Sequence, residues 1–288
     1  MPVLKKFLSY YKPYRKLFYT DMLCAVLASS VDLAFPLILS YLARNVLNRS
    51  AGQILHTIVI VCAALLGMYV LRYFCQYYIT SWGHIMGARM ESDMRRDLFY
   101  HLQRLSFSYY DRNNTGDMIS KLVSDLFDIS ELAHHGPENL FISLLKMTGA
   151  FVILLTINVP MTLILMAVTV LMLIYSFDQN RKMRAVFYDN RVKISGINSR
   201  VQDSLAGIRV VKSFANEEIE KRKFDESNDH FFLSKSDSYH SMGRFFAGNE
   251  FFEGLLYIVV LVAGGFAIAN HTLRVSDLPI YILSLIHI

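Results

Sequence analysis

The sequence predicts an all-α, multi-pass membrane protein with five complete spans, the start of a sixth, and helices that run well past the bilayer. Three observations carry this. Of 288 residues, 53% are hydrophobic and only 18% charged, with a mean hydropathy of +0.32, whereas soluble domains carry about a quarter charged residues. Apolar runs long enough to cross a hydrocarbon core, roughly 20 residues, recur along the chain. Lysines and arginines lie between those runs and favour one side.

The first element is residues 1–16. Val3, Leu4, Phe7, Leu8, Tyr11 and Tyr14 fall at helical spacing with lysines between them, the pattern of a short amphipathic helix lying in the membrane interface. It lacks the small-residue cleavage site of a secretory signal. Residues 17–282 then form the transmembrane domain. Its spans are expected at about 17–42, 54–80, 140–159, 161–177 and 251–269, with a sixth starting near 278. Spans three and four are joined only by Asn158-Val159-Pro160, a tight hairpin. The connections after spans two and four are long, polar and helical in pattern. Twenty-five residues of continued helix would add roughly 38 Å beyond the bilayer.

Charge sets the orientation. Lys5, Lys6, Lys12, Arg15 and Lys16 precede span one, and Arg89, Arg95, Arg96, Arg104, Arg112 and Lys121 follow span two. A further group from Arg181 to Lys235 follows span four, while the opposite side holds Arg44, Arg49 and Arg274. The positive-inside rule places the N-terminus and both long loops in the cytoplasm of a plasma membrane, expected to be a bacterial one. The net charge of +5 is thereby accounted for by topology, and no nucleic-acid partner is expected. Cys24, Cys62 and Cys75 lie in apolar runs without metal-binding spacing. The adjacent pair His134-His135 lacks helical ligand spacing, so no metal is expected. No Ser/His/Asp or Cys/His arrangement suggests a catalytic residue.

Ionisable residues within spans cost roughly 2.5–3.5 kcal/mol each near mid-bilayer, so they face a cavity or a partner. Asp32 lies four residues before Pro36 in span one; Arg72, Gln76 and Thr80 share a face of span two; Lys146 is in span three; Glu250 and Glu253 open span five. Asp32, Arg72, Gln76, Lys146, Glu250 and Glu253 are candidates for the lining of a translocation cavity. The alternative is interhelical ion pairing or snorkelling, which suits the two glutamates best.

The long loops carry sharper marks. In the first, Leu105-Ser106-Phe107-Ser108-Tyr109-Tyr110-Asp111 is followed by Thr115-Gly116-Asp117-Met118 and Asp125. The stretch from Asp111 to Gly116 reads as a turn that ends a long helix, with Thr115 or Asp117 able to cap the next. In the second, Leu205-Ala206-Gly207-Ile208-Arg209-Val210-Val211-Lys212-Ser213-Phe214 precedes Glu217 and Phe224. These resemble the two loop signatures of the type I ATP-binding-cassette (ABC) exporter transmembrane domain. Ser204 stands where most of that family has Glu.

The resemblance implies that each loop tip is a coupling helix docking on a nucleotide-binding domain. Tyr109, Tyr110, Asp111, Thr115, Gly116 and Asp117 would form the first, and Leu205, Gly207, Ile208, Val211, Lys212 and Phe214 the second. Packing between helices is the other reading of the apolar spacing at Leu205, Ile208, Val211 and Phe214. The resemblance further implies a second transmembrane domain, identical or paralogous, and a transported substrate within the lipid bilayer. ATP and Mg²⁺ would belong to a nucleotide-binding domain not contained in this chain, which has no G-x-x-x-x-G-K-[ST] phosphate loop and so is not itself expected to be an enzyme.

Residues 283–288, Leu-Ser-Leu-Ile-His-Ile, are the in-frame translation of CTGTCTCTTATACACATC, the end of a transposon adapter used in sequencing libraries. The expectation is adapter read-through that cuts the frame short; a genuine apolar start of span six is the alternative. Two further readings stay open: a stand-alone membrane binding or signalling module, and a permease subunit whose ATPase is a separate chain.

Overall fold

The structure, a computed structural model, describes residues 2–46, 50–113 and 115–285. No strand occurs among them. Helix α1 (Pro2–Ser9) is followed by a 3-10 turn at Lys12–Tyr14 and by α2 (Arg15–Asn45). The expected leading element therefore ends as a helix at Ser9, and the first membrane helix already starts within 1–16. Helix α3 (Ala51–Tyr78) passes through a π-helical turn at Ile79–Gly83 into α4 (His84–Leu102). Short helices α5 (Phe107–Arg112) and α6 (Thr115–Ser120) follow, then a second π-turn at Lys121–Asp125 and α7 (Leu126–Ile157). Helix α8 (Val159–Ala206), the short α9 (Ile208–Ser213), α10 (Glu217–Ala269) and α11 (Leu278–Ser284) complete the chain.

Five helices are long and apolar enough to span a membrane. The 53 residues of α10 give an axis of about 80 Å, far more than a hydrocarbon core of about 30 Å, so the long polar loops are continuations of membrane helices. The hairpin after α7 is tighter than expected. Only Asn158 leaves the helical region, at φ −150° and ψ 107°. Val159 and Pro160 already belong to α8, because a proline in the first turn has no N–H to lose and its φ suits a helix. Of the segment 283–288, residues 286–288 lie outside the described residues.

The described residues divide into two compact units, Met1–Val159 with His271–Ile288, and Pro160–Asn270. In the first, Met86, Met90 and Met94 form one buried stripe of α4 at i, i+4, i+8, packed on Leu126 and Ala133. Phe7, Tyr10, Tyr11, Tyr14, Leu17 and Phe18 close over it. Flexible thioethers fill the irregular gaps under these rings. The leading element is also tied by polar contacts: the Lys6 ammonium lies 3.0 Å from Asp97, Tyr10 donates to Asp97 at 2.8 Å, and Tyr14 to Asp93 at 2.7 Å.

In the second unit α8 and α10 run antiparallel on either side of α9. Ser176 donates to Asn249, Ser234 to Asp189 (3.0 Å), and Arg200 to the Lys223 carbonyl (2.9 Å). As the residue number rises along α8 it falls along α10. Buried Ser234, Ser238 and Ser241 give the seam small side chains, which let helix backbones approach.

Candidate functional site

Asp32, Arg72 and Lys146 come from three helices, α2, α3 and α7, and meet. Asp32 accepts from Lys146 Nζ at 2.6 Å and pairs with Arg72 Nε at 3.1 Å. Its carboxylate is 10% exposed, against 24% for Lys146 and 38% for Arg72. Two cations on one carboxylate leave the cluster with a net positive charge. Pro36 sits one turn above and has no N–H for the Asp32 carbonyl, four residues back, so α2 loses a backbone bond at this level. Tyr69 supplies a face to the Arg72 guanidinium, 5.8 Å from its centroid, and Phe35 meets the same ring edge-on at 6.4 Å. Leu33 lies against Gly149, where an added Cβ would fall 2.5 Å from its Cδ1. Helices α2 and α7 thus approach closely beside the triad.

The other three cavity candidates are not in this cluster. Gln76 is exposed and reaches Thr80 at 3.4 Å. Glu250 and Glu253 are exposed on α10, in the second unit.

At the far end of the first unit, α11 is held to α2 and α7. Asp277, 4% exposed, accepts from Ser40 (3.1 Å) and from Arg44 Nε (2.6 Å). The Tyr281 hydroxyl lies 3.1 Å from the carbonyls of both Leu154 and Asn158. A cavity of about 510 Å³ opens there between Leu37, Tyr41, Thr156 and Arg274. Sequence reading passed over this lock, because Arg44 and Asp277 are 233 positions apart and each alone resembles a loop charge.

The loop tips differ in detail from their sequence reading. The long helix before the first tip stops at Leu102, well before the Asp111–Gly116 cluster, and Tyr109, Tyr110 and Asp111 lie in α5. Thr115, Gly116 and Asp117 belong to the start of α6; their side chains fall outside the described residues. The two groups are thus split, because Asn113 is extended (φ −121°, ψ 140°) and its amide folds back to donate to the Tyr109 carbonyl at 2.8 Å. Tyr110 in turn donates to the Leu102 carbonyl, anchoring α5 to the end of α4. Phe107 is left 89% exposed.

At the second tip Leu205 lies in the last turn of α8, Gly207 makes the break, Ile208, Val211 and Lys212 lie on α9, and Phe214 follows it. Ala215 turns the chain at φ 47° before Glu217, whose carboxylate meets Lys212 at 3.2 Å. Ile208 and Val211, with Leu205 and Phe224, line an apolar cleft of about 390 Å³. Val210 and Phe214 face outward, 62% and 72% exposed. Leu205 and Ile208 beside the cleft are themselves 63% and 40% exposed, so the tip leaves apolar side chains open on both sides.

Residues 18–288 match the family model of the ABC transporter transmembrane region. Among curated proteins, the chain is 36% identical over 282 residues to YwjA of Bacillus subtilis (strain 168), an uncharacterized ABC transporter ATP-binding protein, covering 98% of this chain and 48% of that protein. It is 28% identical to YknV of the same organism, likewise an uncharacterized ABC transporter ATP-binding protein, covering 94% and 45%. It is also 24% identical to YgaD of that organism, provisionally named a multidrug export ATP-binding/permease protein, covering 98% and 49%. The chain spans about half the length of the curated relatives it matches. With five membrane-length helices, two helical loop tips and this match, the chain belongs to the ABC transporter transmembrane family and is a transmembrane domain of the exporter type.

Proposed function

We propose that this domain pairs with a second transmembrane domain to form an export pathway, and that α5 and α9 pass the ATP-driven movement of nucleotide-binding domains to the membrane helices. One observation carries the reading: at each loop tip a short helix, set off by sharp backbone breaks, leaves large apolar side chains open to solvent. Phe107 at the first and Val210 and Phe214 at the second are 62–89% exposed. A helix that packed only within its own chain would bury such residues, and large apolar side chains left open on a short, set-off helix suit an interaction surface. ATP and Mg²⁺ would bind the partner domain. The N-terminus and loop tips would lie in the cytoplasm, as the lysine and arginine placement requires. Because YgaD carries a name for multidrug export, an amphipathic small molecule is the substrate class to try first.

The test is a coupling measurement in the full-length transporter reconstituted in lipid. Phe107→Ala and Phe214→Ala should each lower substrate-dependent ATP hydrolysis and transport by roughly tenfold, the equivalent of about 1.4 kcal/mol of lost docking, with the dimer intact by size exclusion. Unchanged transport in the double variant would refute the docking role.

A further inference from the structure

We infer that the first unit contains a divalent metal site of the zinc class, formed by Asp21 of α2 with His134 and Glu138 of α7. All three side chains are buried, with residue exposures of 1%, 4% and 6%. Both carboxylate oxygens of Asp21, both ring nitrogens of His134 and Oε2 of Glu138 lack a hydrogen-bond partner. His134 Nε2 and Glu138 Oε2 are 3.3 Å apart without hydrogen-bond alignment. Among the described residues no lysine or arginine pairs with either acid. Buried carboxylate and imidazole atoms that make no hydrogen bond incur a large desolvation penalty, and a bound ion resolves such a cluster.

The donor atoms are already gathered. One ligand atom from each of Asp21, His134 and Glu138 lies within 4.8 Å of the others. Zinc bonds of about 2.0–2.2 Å put tetrahedral ligands about 3.5 Å apart, so modest side-chain rotations would close the shell. His134 and Glu138 stand at i and i+4, one above the other on a single face of α7, and Asp21 approaches from the opposing helix. Carboxylate oxygens with imidazole select a borderline divalent ion such as Zn²⁺ over soft or alkaline-earth ions.

The surroundings complete the site. His84 and His135 stand at its rim, and one nitrogen of each also lies within 4.8 Å of a His134 nitrogen. His84 Nδ1 donates to the Thr80 carbonyl at 2.6 Å, which fixes its tautomer and leaves Nε2 free for a metal. Gly83 lets α4 begin directly over the His134 ring: a Cβ there would fall 2.0 Å from Cε1. The preceding π-turn, Ile79–Gly83, is the kind of helical irregularity that accompanies functional sites. A bound ion would tie α2 to α7 beneath the start of α4, at the end of the unit that carries α1. The site does not depend on the proposed docking of α5 and α9.

The experiment is equilibrium dialysis of the tag-free, full-length protein in lipid nanodiscs against chelator-buffered Zn²⁺, with a thermal melt on the same samples. One Zn²⁺ per chain, a melt raised by zinc, and affinity at least about tenfold weaker in Asp21→Asn and Glu138→Gln would support the site. No stoichiometric zinc, or binding unchanged in both variants, would overturn it. Should the variants fail to fold, X-ray absorption on the zinc-loaded wild type decides: carboxylate oxygens beside imidazole support the assignment, and a shell of imidazoles or thiolates alone refutes it.

Discussion

Asp32 neutralises two cations at once, so its loss is asymmetric. Removing Lys146 still leaves Asp32 an arginine, whereas removing Asp32 leaves both Arg72 and Lys146 without their shared anion. Breaking a fully buried pair costs about 3–5 kcal/mol, and because the two cations left behind are 38% and 24% exposed the loss here falls below that range. Asp32→Asn should therefore lower the melting temperature clearly, Lys146→Met should do so less, and Asp32→Asn with Lys146→Met should recover part of the loss. A double variant as unstable as the sum of the singles would show that the three charges act independently. Depth along a helix is readable from sequence, which is why Asp32 and Arg72 stood out, with Lys146 one of the further candidates. Which of them meet depends on the rotation and tilt of three helices, and Gln76, one turn from Arg72 on the same face, turns to Thr80 instead. Gly83 makes the opposite point. A glycine before His84 reads as a weak helix residue, yet its missing side chain is what admits the His134 ring. Gly83→Ala should destabilise by about 1–3 kcal/mol through overpacking. Gly67→Ala, where nothing lies within 4 Å of the added Cβ, should be neutral or gain up to about 1 kcal/mol in helix propensity.

Among the elements, α1, expected to lie in the membrane interface, is also pinned to its own bundle. Its alternation of aromatics and lysines predicts an amphipathic helix over 1–16, and the structure holds Pro2–Ser9 of it as a helix. What pattern could not reveal is the acceptor, because Asp97 and Asp93 on α4 look like ordinary loop charges until Lys6, Tyr10 and Tyr14 reach them. The Lys6 hydrogen bond, then the Tyr10 one, holds the Asp97 carboxyl below its ordinary value of 3.8. A carboxyl lowered on docking contributes stability above its unfolded pKa and loses it as pH falls through the folded one. A spin label on Leu4, itself 63% exposed, should accordingly report an ordered α1 at neutral pH and a more mobile one once pH drops below the ordinary carboxylate range. The pair is exposed and so individually weak, and the Phe7 and Tyr11 packing should keep the loosening partial. Asp97→Asn should remove the pH dependence; a label that responds equally in that variant would place the titrating group elsewhere.

For the whole molecule, span length alone pointed to the five long helices without any relative, because a bilayer imposes a minimum length on every helix that crosses it. The boundaries that moved, at Asn158 and at the first loop tip, are places where one residue's backbone decides, and such local choices leave little trace in hydropathy. Sidedness is a consequence of charge placement and can be measured. In a protein with Cys24, Cys62 and Cys75 replaced, a cysteine at Ser108 or Ser199, both exposed in the long loops, should react with a membrane-impermeant maleimide only after the cells are opened. A cysteine at Val275, 68% exposed between α10 and α11, should react in intact cells. Six lysines and arginines between spans two and three, and the larger group after span four, would each have to cross the membrane for the opposite outcome, against a cost that grows with every charge. Labelling of Ser108 and Ser199 from outside would therefore invert the topology and move α5 and α9 away from any cytoplasmic nucleotide-binding partner, so the coupling role depends on this measurement as much as on the tip variants.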